Sequence, residues 1–118
     1  MSKVSLEHLA GIGGYFGSSL VDSHSGMLIG ANGGGPIDLE IAAAGNTQVV
    51  RAIRKTLKSL GLTSEIEDIL ISLSDAYHIM RPLQMNDAVF LYLALSRKEA
   101  NLGLARHELK NFEHGLIV

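Results

Sequence analysis

Cysteine is absent from this sequence, which excludes a disulfide framework, a thiolate metal site and a cysteine nucleophile. Tryptophan is absent as well, and aromatics make up only 5%, too few for the stacking platforms that hold single-stranded nucleic acid. A strong excess of either charge is also lacking. The formal net charge is −2, so no global field draws the chain toward nucleic acid or acidic lipid. No run approaches the roughly 20 apolar residues that span a bilayer, so no membrane insertion is expected. The opening residues MSKVSLEHLAGIGG do not contain the apolar core of a signal peptide.

What is present reads as one globular domain over residues 1–118. Apolar residues make up 47% and charged residues 19%, a balance that favours a packed core over disorder. Residues 4–10 place Leu6, Leu9 and Ala10 on one side of a short helix, which Gly11, Gly13 and Gly14 break. Residues 15–22 alternate as a strand, with Phe16, Ser18 and Leu20 expected on one face. Residues 22–26, DSHSG, form a turn, and residues 27–31 a second strand that completes a hairpin. Pro36 suits the first position of a long helix running to about Leu60, and Gly61 can end it in a left-handed conformation. Acidic residues sit early in that helix and basic residues late, which complements its dipole.

Three more strands follow, over residues 66–73, 77–83 and 88–95. The last is apolar on both faces and reads as central. Ser96 and Glu99 have the spacing of a capping box for a final helix, whose stripe is Leu102, Ala105, Leu109 and Phe112. Hairpin-length connections predict a mostly antiparallel sheet with one crossover, made by the long helix. The third strand then lies at an edge, where only Glu65, Glu67 and Asp68 guard its start against pairing with another chain.

Several motifs invite a chemical reading. Gly30 and Gly35, in GANGGGP, have the spacing of a phosphate-binding loop. The Lys and hydroxyl that such a loop needs are replaced by Pro36 and Ile37, so nucleotide binding fails on its own chemistry. No two of His8, His24, His78, His107 and His114 sit at a common metal-ligand spacing. Ser18, Ser19 and Ser23 lie near Asp22 and His24, but nearness in sequence is not triad geometry, and there is no nucleophile elbow. No enzyme activity, metal or cofactor is expected. The long helix is more informative. Ala42, Ala43, Ala44 and Gly45 cover more than one face, as a helix pressed by its own sheet on one side and a partner helix on another would require. Arg51, Arg54, Lys55 and Lys58 fall at three- and four-residue spacing and form a basic stripe.

In this order, the stretches NLGLARHEL (101–109), IAAAGNTQVVRAIRKTLKSLG (41–61), YHIMRPL (77–83) and SLVDSHSGMLI (19–29) resemble the Roadblock family. That family contains the dynein Roadblock light chains and the bacterial MglB-type regulators of Ras-like GTPases. Asp22 and Gly26 are one residue further apart than in the family's usual hairpin turn. The resemblance implies a Roadblock-like α/β sandwich: a five-stranded, mostly antiparallel sheet with the long crossover helix on one face and the terminal helices on the other. It also implies a homodimer through the long helix and third strand, with Ala42, Ala43, Gly45, Val49, Ile69 and Ile71 at the interface. Family members do not bind nucleotide themselves but act as dimeric platforms for a small GTPase. The expectation is therefore a cytoplasmic, non-enzymatic homodimer that binds a small Ras-like GTPase, with Arg51, Arg54, Lys55 and Lys58 facing that partner. A small-ligand sensor and a purely structural subunit are the alternatives.

Overall fold

A computed structural model describes residues 5–116; Val4, the first residue of the expected N-terminal helix, lies outside them. A short 3-10 helix, Glu7–Gly11, precedes strands β1 (Tyr15–Asp22) and β2 (Leu28–Gly33), helix α1 (Leu39–Ser59), strands β3 (Ile69–Ser72), β4 (Ala76–Pro82) and β5 (Val89–Ser96), and helix α2 (Leu102–His114). The sheet order is β2-β1-β5-β4-β3, and every pairing is antiparallel. β5 is central, as its two apolar faces require, and β3 is an edge. α1 carries the chain from one edge of the sheet to the other.

Two cores result, one on each face. Leu20, Ile79, Leu91, Leu93 and Leu95 meet Leu6 and Leu9 of the N-terminal segment and Ala105 and Leu109 of α2. On the opposite face Val21, Met80, Phe90, Tyr92 and Ala94 meet Ala43 and Val50 of α1. The expected sandwich is thus present, with α1 on one side and the terminal helices on the other.

Four local expectations change. Phe16 packs on the α1 side and Leu20 on the other, because the register with β5 shifts between Tyr15 and Gly17. A bulge there puts two successive residues on one face, which breaks the expected alternation. β2 runs into the glycine-rich stretch as far as Gly33, so Gly30, Asn32 and Gly33 are ladder residues. α1 starts after Pro36: Asp38 is its N-cap, and its carboxylate accepts hydrogen bonds from the amides of Glu40 and Ile41 at 3.0 and 3.1 Å. A carboxylate both satisfies orphan amides and matches the dipole, which Pro36 does not do. Finally, Ser96 ends β5 instead of opening α2. Asn101 caps that helix, its Oδ1 accepting from Leu104 N at 3.0 Å, and Ser96 O receives the turn amides of Glu99 and Ala100.

Other sequence signals appear where expected. Asp22 closes the β1–β2 turn, accepting from His24 N at 2.8 Å and the Ser25 hydroxyl at 3.1 Å. The His24 amide, foremost, holds the Asp22 carboxyl below its usual range despite slight desolvation. Gly61, at φ 72, ends α1 with the paired bonds Gly61 N to Lys58 O and Leu62 N to Leu57 O, each 3.0 Å, the Schellman arrangement.

Gly17 is required by a close approach. A Cβ there would stand 2.5 Å from Gly34 N and 2.7 Å from its Cα. The glycines at 33, 34 and 35 all have positive φ, which folds the chain back over β1 before α1 begins.

At the far end, buried Arg81 donates from Nε to Glu113 Oε1 at 2.6 Å, and Gln84 N donates to Glu113 Oε2 at 2.6 Å. This ties β4 and the turn after it to the last turn of α2. Glu113→Ala should leave Arg81 uncompensated and lower unfolding free energy by about 3–5 kcal/mol, measured by urea denaturation. Gly17→Ala should lower the midpoint as well, because the obstructing atoms are backbone.

Candidate functional site

α1 has four distinguishable sides. Ala43, Thr47 and Val50 are buried against the sheet. Ile41, Gly45, Gln48 and Ala52 point to solvent. Arg51, Lys55 and Lys58 follow one flank at helical spacing, and Ala42, Val49 and Ile53 the other. Arg51 reaches the β1–β2 turn, which places the basic flank toward that hairpin; the apolar flank therefore faces β4 and β3.

The interface residues expected from sequence divide accordingly. Ala43 is fully buried in the chain's own core, so it has no surface to offer a partner. Ala42 and Val49 are half-buried on the apolar flank, and Gly45 is exposed beside them. Ile69 and Ile71 lie on β3 on the same side of the sheet, partly buried against the same core. Ala42, Val49, Ile69 and Ile71 are thus all partly buried against the α1-side core, Gly45 is exposed on α1, and Ala43 is enclosed within that core. The structure adds Ile53, 38% exposed, and Ile41, 71% exposed. Ile53 was legible as the i+4 neighbour of Val49; nothing local singles out Ile41.

Gly45 is the unusual member. A Cβ built on it meets no atom within 4 Å. Glycine inside a helix costs roughly 0.5–1 kcal/mol relative to alanine, and nothing within the chain requires that cost here.

α1 packs over β1 and β2 and makes few contacts with the β3–β4 half of the sheet. Ile69, Ile71 and His78 on that half are consequently only half-buried. His78 pairs in register with Ile71. Its Nδ1 lies 3.1 Å from the Tyr92 hydroxyl, and the two rings meet edge-to-face at 5.5 Å. Burial pushes the Tyr92 hydroxyl up to about 12 and lowers the His78 imidazole from its ordinary value, against a smaller opposing pull from Asp75. Asn46 Nδ2 is buried beside them without a hydrogen-bond partner.

The basic stripe also divides. Arg51 donates from Nε to Ser23 O at 3.0 Å and from Nη2 to His24 O. Arg54 donates to Asp87 O and reaches the Ser23 hydroxyl at 3.4 Å. These two arginines pin α1 to the β1–β2 and β4–β5 turns. Lys55 and Lys58 are exposed and form no ion pair among the described residues. The central side chains on both faces of the sheet are fully buried. A cleft of about 810 Å³ lies at the rim, between the end of α1, residues 61–67 and the β4–β5 turn.

Comparison with solved structures matches this architecture throughout. A Roadblock/LC7 domain from Streptomyces avermitilis superposes with a TM-score of 0.79 at 12% identity, covering 92% of this chain and 88% of that one. The chain has the Roadblock/LC7 fold. Myxococcus xanthus MglB gives a TM-score of 0.73 at 23% identity, covering 85% of this chain and 72% of that one. An MglB described with a tetrameric arrangement gives 0.80 at 17% identity, covering 94% and 81%. No protein-family model and no curated protein matches the sequence. The Roadblock/LC7 fold is therefore legible here in backbone and packing at low identity.

Arg51→Ala and Arg54→Ala should each lower stability by about 1–2 kcal/mol, since each removes charged hydrogen bonds to turn carbonyls. Lys55→Ala and Lys58→Ala should stay within about 0.5 kcal/mol of the unaltered chain. Thermal denaturation of the four variants separates structural cations from available ones.

Proposed function

We propose that the chain is a non-enzymatic homodimeric regulator or scaffold for a small Ras-like GTPase. The observation that carries this reading is the surface where α1 meets β3. An apolar helix flank, a helix-interior glycine with open space above it and an unpaired sheet edge lie side by side, uncovered by the chain itself. A second copy related by a two-fold axis would lay its own α1 beside Gly45 and pair its β3 with this one, making one continuous sheet. The tetrameric arrangement stated for one similar MglB structure supports self-association of this fold.

The GTPase reading rests on the resemblance to MglB-type regulators together with the two exposed lysines. In such a dimer the outward faces of two α1 helices form a platform. Lys55 and Lys58 flank it, while Arg51 and Arg54 are held by the turns and serve the platform only by fixing α1. The chain needs to supply no catalytic group, because holding a GTPase switch segment in a hydrolysis-competent arrangement is itself enough to speed phosphoryl transfer. The compartment in which it would act is the cytoplasm, where such GTPases work; among the described residues no helix is long and apolar enough to cross a membrane.

Gly45→Glu tests the dimer cleanly, because its side chain meets open space within the chain. The variant should keep its melting transition and sediment as a monomer, whereas Ala43→Glu should unfold. An unchanged dimer in Gly45→Glu would remove α1 from the interface. For the partner, GTP hydrolysis by a Ras-like GTPase from the same host should rise on titration with this protein. Lys55→Glu with Lys58→Glu should weaken that effect by tenfold or more. No binding to any such GTPase at low salt would end the reading.

A further inference from the structure

On the half-covered β3–β4 side of the α1 face stands a titratable group that solvent still reaches, His78, and it stands where the proposed second copy would seal it. His78 lies on β4, directly opposite Ile71 of the edge strand. Its Nδ1 is engaged by the Tyr92 hydroxyl, and among the described residues its Nε2 has no partner. It is half-buried, so solvent still reaches it in a single chain.

We propose that self-association through α1 and β3 is proton-linked: His78 must be neutral for the strip to be covered, and its protonation dissociates the dimer. This inference rests on the homodimer reading above.

The surroundings contain almost nothing that could hold an imidazolium once water is removed. From β5 the neighbours are Tyr92 and Ala94, the latter in register with His78. From β3 the neighbour is Ile71. From α1 the nearby polar group is Asn46, which lies against the Tyr92 hydroxyl; its buried Nδ2 is a donor and offers an imidazolium no lone pair. The charged residues of α1 at Glu40, Arg51, Lys55 and Lys58 belong to the opposite flank. Asp75, in the β3–β4 turn, is the one carboxylate that favours the charged form, and desolvation already outweighs it. Arg97 stacks on Tyr77 at 5.1 Å, on the α2 side of the sheet.

The strip that a second copy would bring, Ala42, Gly45, Val49 and Ile53, carries no charge. Covering His78 with it removes the remaining water and supplies no acceptor, which disfavours the protonated ring further. The sign follows from linkage. If the dimer binds protons more weakly than the monomer, acid favours the monomer. Each of two symmetric histidines contributes up to about tenfold in dimer Kd per pH unit below the monomer's titration point.

Sedimentation equilibrium between pH 7.5 and pH 5.5 tests this on the full chain. The unaltered protein should dimerise at pH 7.5, and its Kd should rise by at least about tenfold by pH 5.5. His78→Gln and His78→Phe both remove the titration, and either should hold its Kd within about twofold over the same range. NMR titration supplies a readout that needs no variant at His78. The His78 ring should titrate at a lower pH in the unaltered dimer than in the Gly45→Glu monomer. A dimer whose Kd is flat with pH, or equally steep in the His78 variants, overturns the proton linkage and leaves the dimer standing. Absence of a dimer at pH 7.5 overturns both.

Discussion

A single helix is too narrow for the sheet it crosses. Five strands at about 4.8 Å spacing span roughly 19 Å between their outer axes, whereas a helix with its side chains is about 10–12 Å across. α1 therefore covers one half of its face of the sheet. Arg51 and Arg54 decide which half, because they anchor the helix to the β1–β2 and β4–β5 turns. The opposite face solves the same problem with two segments, α2 and the N-terminal 3-10 helix. On the α1 face no second segment lies among the described residues, and the less covered half is the one that ends in an open β edge. The geometry of coverage thus generates both features of the proposed interface at once, a groove one helix wide and an unpaired strand beside it.

Small residues play different parts in this arrangement depending on the direction they face. Ala43 allows α1 to sit close to its own sheet, over a β1 that carries Ser19, fully buried with its hydroxyl unpartnered; Gly17 on the same strand makes room for Gly34. Gly45 faces the other way. It weakens the helix by an amount that alanine would recover, and no atom of the chain uses the space it leaves. Glycine in a helix interior suits the close approach of another backbone, and among the described residues none comes near Gly45. The same small-residue run therefore contains one residue used by the fold and one that the proposed dimer would use.

Periodicity made most elements and the central place of β5 readable, whereas the layering was an expectation of the family resemblance. Seven successive apolar residues in β5 and a 21-residue helix with ordered charges are long signals. The bulge at Phe16, the cap at Asp38 and the failure of the Ser96–Glu99 pair were not readable, because each depends on competition between local and tertiary options. Ser96 has the right partner for a capping box but is held by the sheet, and Asn101 then takes the cap. The candidate site was legible in part. Small and basic residues at helical spacing directed attention to α1, on which the proposed interface is built. Spacing alone could not say that Ala43 points inward, or that two of the four cations are engaged by turn carbonyls. The role proposed for His78 was hidden for a different reason: it comes from what does not cover that ring, and an absence of cover has no sequence signature.

The proposed platform and the proposed proton linkage would be mechanically connected through α1. A partner that read the outward faces of two α1 helices would require both at a fixed spacing, and in the proposed dimer that spacing would be set where Gly45 and Val49 met their counterparts. His78 lies on the sheet rather than on the helix. Protonation there would leave the charge of the outward faces and of Lys55 and Lys58 unchanged. It would act on whether two copies stay together. Regulation of this kind would separate the affinity of each copy for a partner from the number of complete dimers, so that acid could switch the assembly off without any change in the residues its partner touched.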